Sequence, residues 1–362
     1  MSTLKCLILV QIFALASWSA DLCGTLYMPT TLSKDKSPYR ITGDIYVPPA
    51  SRLTIEAGVE LVIVSKPTCK ESMNQLDWSD SQFVSIQVDG AFYIKGNPKA
   101  PVLIHPESQE HGKVQWDGIR LNKQEPHSAA IQFLQITGAN RALQIRNSKF
   151  IIENSVFEDN NIGIKLGEKG NVTIRNNLFY QSTSAGIYTE YAAPEVVANI
   201  FSENSNAAIW ADSRKGLNIS YNLFWESGDA DCWHCAPEIG KRTAKNAKGD
   251  SIDSRNNIFA NPVFVETADE SKHKQVDIQI PTEKGAVVDS NIQQLHQKSD
   301  SLGKAGLAPR AVFEAQGLGR WRLSKYSPAL DAAPDESIYL DANGTRGDLG
   351  PWGGTNRYAK KL

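Results

Sequence analysis

A dominant charge of either sign is what this chain lacks most plainly. Its 362 residues carry 38 Lys and Arg against 40 Asp and Glu, a formal net charge of −2. So even a balance leaves no basic face to neutralise a phosphate backbone, which excludes nucleic acid as a partner. With 3 Met and 6 His, the chain also gives little support to a soft-ligand copper site. Long apolar runs are missing too. The N-terminal run Leu7 to Ala16 is too short to span a bilayer, and no later stretch is apolar enough to form a membrane helix.

Residues 1–20 read instead as a secretory signal, with Lys5 before the apolar run and Ser17-Trp18-Ser19 supplying small residues for cleavage. A secreted or periplasmic protein is expected. Ala20-Asp21-Leu22 before Cys23 does not form a lipobox. Loss of the signal removes Cys6 and leaves Cys23, Cys69, Cys232 and Cys235, an even set that predicts two disulfides in an oxidising compartment. Cys232-Trp233-His234-Cys235 is read as a local staple. A redox pair would sit at a helix start after a strand, and a zinc site would need more ligands than His234 adds.

What is present is a repeat. The rungs Asn154-Ser155-Val156-Phe157, Asn176-Asn177-Leu178-Phe179, Ala198-Asn199-Ile200-Phe201, Tyr221-Asn222-Leu223-Phe224 and Asn256-Asn257-Ile258-Phe259 place Phe at steps of 22, 22, 23 and 35 residues. A second register, Leu143, Ile164, Ile187 and Ile209, advances by 21, 23 and 22. Two registers sharing one short period mark a solenoid, in which each coil buries its neighbour's apolar edge. Asn177, Asn199, Asn222 and Asn257 share one position and are expected to hydrogen-bond along the stack.

The spacing leaves room for three short strands per coil. Residues 24–40 are expected to be irregular and to cap the first coil. Alternating stretches at Ile41–Val47, Leu53–Leu61, Val84–Val88, Ala91–Ile94 and Val102–Ile104 read as strands. Polar loops are expected at 66–82 and at 226–251, the latter an insertion before the last rung. The predicted organisation is a signal at 1–20, a capped all-β solenoid at 21–265, and a C-terminal segment at 266–362 that packs on the solenoid or ends it.

The opening Thr42-Gly43-Asp44-Ile45 to Ala57-Gly58, the coil Trp116-Asp117-Gly118-Ile119 and the Asn-x-Phe rungs together resemble secreted right-handed parallel β-helix repeat proteins of the pectin-lyase-like superfamily. Asn261-Pro262-Val263-Phe264-Val265, Trp321-Arg322-Leu323-Ser324, Ser327-Pro328-Ala329-Leu330-Asp331-Ala332 and Asp341-Ala342-Asn343-Gly344 to Asp348-Leu349-Gly350 are similar to that group's terminal segment. The resemblance covers about 41–354 and implies a single-stranded right-handed parallel β-helix. It does not assign an activity, because the fold hosts lyases, hydrolases, epimerases and inert binding spikes. The Arg-x-x-Arg-x-Pro pattern of calcium pectate lyases is missing, as are the Asn-Thr-Asp and Gly-His-Gly signatures of polygalacturonases. NosD-type copper-linked β-helices share such coils, but the few Met and His residues here give a copper role little support.

Strand alternation sends the neighbours of the Ile column outward. That column reads Arg120, Gln144, Lys165, Tyr188 and Trp210, with Asn122, Arg146, Gly167, Glu190 and Asp212 two residues further on. Tyr188, Trp210 and Arg120 are the candidate substrate contacts, since aromatic rings offer apolar faces with a polar edge. Lys165, Glu190, Asp212 and Arg146 are the candidate catalytic groups. Glu190 and Asp212 stand on adjacent coils, about 4.8 Å apart by strand spacing, so one pKa should rise or a cation should be recruited. Ion pairs to Lys165 or Arg214 rank first. A Ca2+ or ligand site ranks second, Ca2+ being the one cofactor considered. A retaining glycosidase pair, whose carboxyls stand about 5 Å apart, ranks third. By analogy with anionic-polysaccharide lyases, Arg146 or Lys165 could neutralise a uronate and act as base. Asp341, Asn343 and Asp348 are read as a tight turn fixed by Arg346 and not as a calcium loop. The expected partner is an extracellular polysaccharide or cell-surface glycan, processed or only bound by a monomer. The competing expectation is a structural or adhesive rod with no single site.

Overall fold

The 22-residue coil resolves into three short strands joined by sharp bends. In a computed structural model of the protein, which describes residues 20–69, 83–124, 128–212, 217–264, 321–340, 346–351 and 353, one coil runs through Ala139–Arg146, Ile151–Glu153 and Val156–Glu158 before returning at Ile162–Leu166. Each strand pairs in parallel with its counterpart one coil on, which builds three faces, here called A, B and C in the order just given. The repeat registers hold to the residue. Leu143, Ile164, Ile187 and Ile209 are successive partners on face A, and Phe157, Phe179, Phe201, Phe224 and Phe259 on face C. The fold is a right-handed parallel β-helix.

Single left-handed residues make the bends. Between faces B and C stand Asn154, Asn176, Ala198, Tyr221 and Asn256, with φ between 52° and 60°; between C and A stand Asp159, Gln181, Glu203 and Glu226, at 46° to 57°. Such a φ costs a non-glycine residue roughly 1–2 kcal/mol, and Asn or Asp tolerates it best. Hydrogen bonds inside the bend offset that cost. Asn199 accepts from the Asn177 backbone N–H at 2.9 Å, and its Nδ2 donates to Ile174 O at 2.9 Å and to Asn222 Oδ1 at 3.0 Å. The expected Asn column is therefore continuous, and it ends where Asn257 donates its backbone N–H and Nδ2 to Asp253. A second, shorter set lines the other bend, where Asn160 and Asn204 accept from Ala139 N and Ser182 N at 3.0 and 3.1 Å.

The Phe column is a stack with centroids 4.9, 4.8, 5.2 and 5.7 Å apart, and the Arg242 guanidinium lies 4.8 Å over its last ring. Arg242 belongs to the segment expected to be a polar loop beside the coils. Instead, the coil continues through Ala230–Trp233 on face A, and only then does the chain turn across the open end, where Cys235 and Ile239 pack on the core. The insertion is a lid on the last coil, because an uncovered Phe259 would leave the Phe stack open to water.

The N-terminal segment also departs from the expected irregular cap. Ala20–Thr25 pairs in parallel with Tyr39–Val47, and Thr30–Leu32 with Arg52–Glu56, so strands of the helix's own kind close the first edge. The Cys23–Cys69 disulfide crosses this end, and Cys232–Cys235 crosses the other. Face C carries an outward apolar column, Val156, Leu178, Ile200, Leu223 and Ile258, that forms a second core with Trp321, Ala329, Tyr339 and Leu349. Gly350, at φ 84°, brings the tail close; a Cβ there would lie 2.6 Å from Ile200 Cδ1. The tail is pinned where Gly350 N donates to Ala198 O at 2.9 Å and Asn154 Nδ2 donates to Gly353 O at 2.8 Å.

Candidate functional site

Face A presents the outward columns. In the ladder Gln144 pairs with Arg120 and Lys165, Lys165 with Tyr188, Tyr188 with Trp210, and Trp210 with Trp233. Trp233 thus extends the stripe by one coil. It stands 23 residues after Trp210, as Cys232 does after Ile209, and the same period could have placed it.

The stripe divides into a buried part and an open part. Arg120 is only 6% exposed and is ion-paired with Asp117, which also accepts from Asn140 Nδ2 at 3.5 Å. Gln144 is 8% exposed. Arg120 is therefore withdrawn from the expected substrate contacts, because its side chain is buried and its guanidinium is engaged by Asp117. Arg146 lies across Gly167, where a Cβ would come within 2.8 Å of Arg146 Cγ, and so flanks the open part from the preceding coils.

The open part is a connected cluster. Lys165 Nζ stands 3.1 Å from Glu190 Oε1 and 5.0 Å from the centroid of the Tyr188 ring. Tyr188 Oη donates to Asp212 Oδ2 at 2.8 Å. Tyr188 meets Trp210 at 5.9 Å and 60°, and Trp210 stacks on Trp233 at 5.2 Å and 22°. Burial raises the Tyr188 phenol well above its ordinary pKa; the hydrogen bond to Asp212 and the nearby Glu190 carboxylate push it the same way. The expected ion pair to Lys165 is present. Arg214, the alternative partner, lies outside the described residues, as do positions 70–82 of the polar loop expected at 66–82 and Asp341 to Gly344.

Two consequences follow for the chemistry. First, the expectation that Tyr188 and Trp210 offer ring faces is corrected, since Trp210 is flanked by Tyr188 and Trp233 while Tyr188 has Lys165 over its ring. No further face A strand follows Trp233 among the described residues, so Trp233 ends the ladder, half-buried and with the His234 ring edge-on at 6.0 Å. Second, the candidate acids and bases are engaged with one another: Lys165 with Glu190, and Asp212 with the Tyr188 hydroxyl, whose proton is held in place by burial. Among the described residues no three or more His, Cys, Asp or Glu gather to hold a metal ion. A cavity of about 250 Å3, lined by Tyr221, Lys248, Ile252, Pro328, Asp331 and Arg346, lies between the lid and the C-terminal segment and contains none of the stripe residues.

Residues 112–266 match the family model described as the right handed beta helix region. No curated protein and no solved structure matches the chain.

Proposed function

We propose that this right-handed parallel β-helix protein binds an extracellular polysaccharide or cell-surface glycan at the open end of the face A stripe, without turning it over. The observation that carries the reading is the aromatic ladder Tyr188, Trp210 and Trp233 on face A, with the carboxylates of Asp212 and Glu190 held one and two coils before Trp233. A polysaccharide lying along the stripe meets that combination across successive coils, apolar ring surface for its C–H faces and oriented acceptors for its hydroxyls. Lys165 and Tyr188 then act as positioning residues for the two carboxylates. Hydrolysis with retention would use one of those carboxyls as a proton donor and elimination a base within reach of the substrate; the ion pair of Lys165 with Glu190 and the hydrogen bond of Tyr188 to Asp212 favour binding. A location outside the cytoplasm fits the two disulfides, and no helix among the described residues is long and apolar enough to cross a membrane.

A panel of pectin, polygalacturonate, alginate, chondroitin and xylan tests the reading. The expected result is retention on at least one polymer with no rise in absorbance at 235 nm and no new reducing ends, unchanged by Ca2+ or a chelator. Turnover lost in Lys165→Ala or Glu190→Ala would make the protein an enzyme instead, and no retention on any polymer would leave the structural rod.

A further inference from the structure

Cys232 and Cys235 bracket the two residues that end the stripe. Cys232 continues the buried column after Ile209, Trp233 stacks on Trp210, His234 sits at the left-handed φ of 56°, and Cys235 returns into the core at 8% exposure. Ala230–Trp233 pairs with Ala207–Ala211 on one side, and no strand pairs with its other edge among the described residues. Backbone pairing from one side, the stack on Trp210, the edge contact with the His234 ring at 6.0 Å and the disulfide loop that carries both residues therefore fix Trp233. We infer that the Cys232–Cys235 disulfide is a redox latch that holds Trp233 in the binding position, so that reducing it weakens glycan binding while the coils stay folded. This rests on the binding role proposed above.

The chemistry needs an external dithiol. Its thiolate attacks one sulfur of the pair, forming a mixed disulfide and releasing the other Cys as a thiol. The second thiol of the reductant then displaces the first Cys. The protein disulfide is thereby reduced to two thiols and the dithiol is oxidised to its cyclic disulfide. Both protein thiols can stay where they are, since a free Cys packs as a small apolar side chain. What the reduced protein loses is the closed loop across Trp233-His234. His234 is then free to leave its left-handed φ, and the peptide that carries Trp233 moves with it.

The test uses the full chain with Cys23→Ser and Cys69→Ser, so that one disulfide remains, and dithiothreitol as the reductant. Reduction, checked by thiol count, is expected to lower affinity for the retained polysaccharide about tenfold and to diminish the near-UV circular dichroism of the Trp210–Trp233 pair. The far-UV spectrum should stay in place and the thermal transition should remain cooperative, lowered only by the few degrees that the chain entropy of so short a closed loop implies, and reoxidation should restore binding. Cys232→Ser with Cys235→Ser should behave as the reduced protein. Unchanged affinity and unchanged near-UV signal after complete reduction would overturn the latch. If Trp233→Ala leaves binding intact, the binding role itself fails; the near-UV signal, which needs no glycan, then decides the latch alone.

Discussion

Asn199→Ala should be among the most damaging single substitutions in the coils. The side chain is fully buried and makes bonds in two directions. Its loss orphans the Asn177 backbone N–H, which donates to Oδ1 at 2.9 Å, and takes one donor each from Ile174 O and Asn222 Oδ1. Val197 O loses a donor as well but keeps the Asn176 N–H at 3.3 Å. One buried orphan costs roughly 1–3 kcal/mol and each lost hydrogen bond about 1, so the total is about 4 kcal/mol. Urea unfolding followed by tryptophan fluorescence measures it, with Asn171→Ala as the control. Asn171 accepts one bond, from Ala193 N at 3.0 Å on an exposed turn, and its loss should cost under about 1 kcal/mol. Asn199→Asp keeps the acceptor toward Asn177 but sets an oxygen against Ile174 O and Asn222 Oδ1. Ionisation in the fold is then disfavoured and the folded pKa is raised, so stability is highest below the unfolded value of about 3.9 and falls as pH rises above it. The reasoning is refuted if Asn199→Ala costs no more than the control, or if Asn199→Asp is as stable at pH 7 as at pH 3.5.

Tyr188 should keep its proton beyond the ordinary range near 10, so the wild-type minus Tyr188→Phe difference at 295 nm should stay flat through pH 10. Because its folded pKa is raised, its contribution to stability is present below about pH 10 and is lost as pH climbs toward the folded value; a step at pH 10 would contradict this. The two disulfides should differ in worth. Cys23–Cys69 closes a separation of 46 residues, about 4 kcal/mol of chain entropy, and Cys232–Cys235 a separation of 3, about 2 kcal/mol. Urea midpoints of the paired Ser variants should fall in that order, and the reverse order would refute it. Trp321→Ala removes the ring packed 4.7 Å from Tyr180 and 5.3 Å from Phe264, and should uncover the apolar column of face C. Dye binding by anilinonaphthalene sulfonate should rise with the far-UV spectrum unchanged; no rise would mean the tail is held elsewhere.

The coils were legible because one period fixes two columns at once. Phe at 157, 179, 201 and 224 and Ile at 164, 187 and 209 are each partnered as the spacing requires. Alternation also places Lys165, Tyr188 and Trp210 on one outward line. What alternation leaves open is whatever lies above that line. Arg120 points outward and is buried all the same, and Trp210 points outward with both ring faces flanked. The apolar residue before each Phe, such as Leu178 and Ile200, must likewise point outward, which was a sign that face C needed a cover; only the fold shows that the tail supplies it. The continuation of the coil through Trp233 was hidden by the polar sequence around it, although the step of 23 from Trp210 was there to be counted.

The most direct measurement is affinity electrophoresis of the wild type and of Trp233→Ala through gels that contain each polysaccharide in turn. Binding at the open end of the stripe predicts that at least one polymer retards the wild type and that the variant, with an unchanged far-UV spectrum, runs as it does without polymer. Equal retardation of both proteins, or free migration of the wild type in every gel, would contradict it.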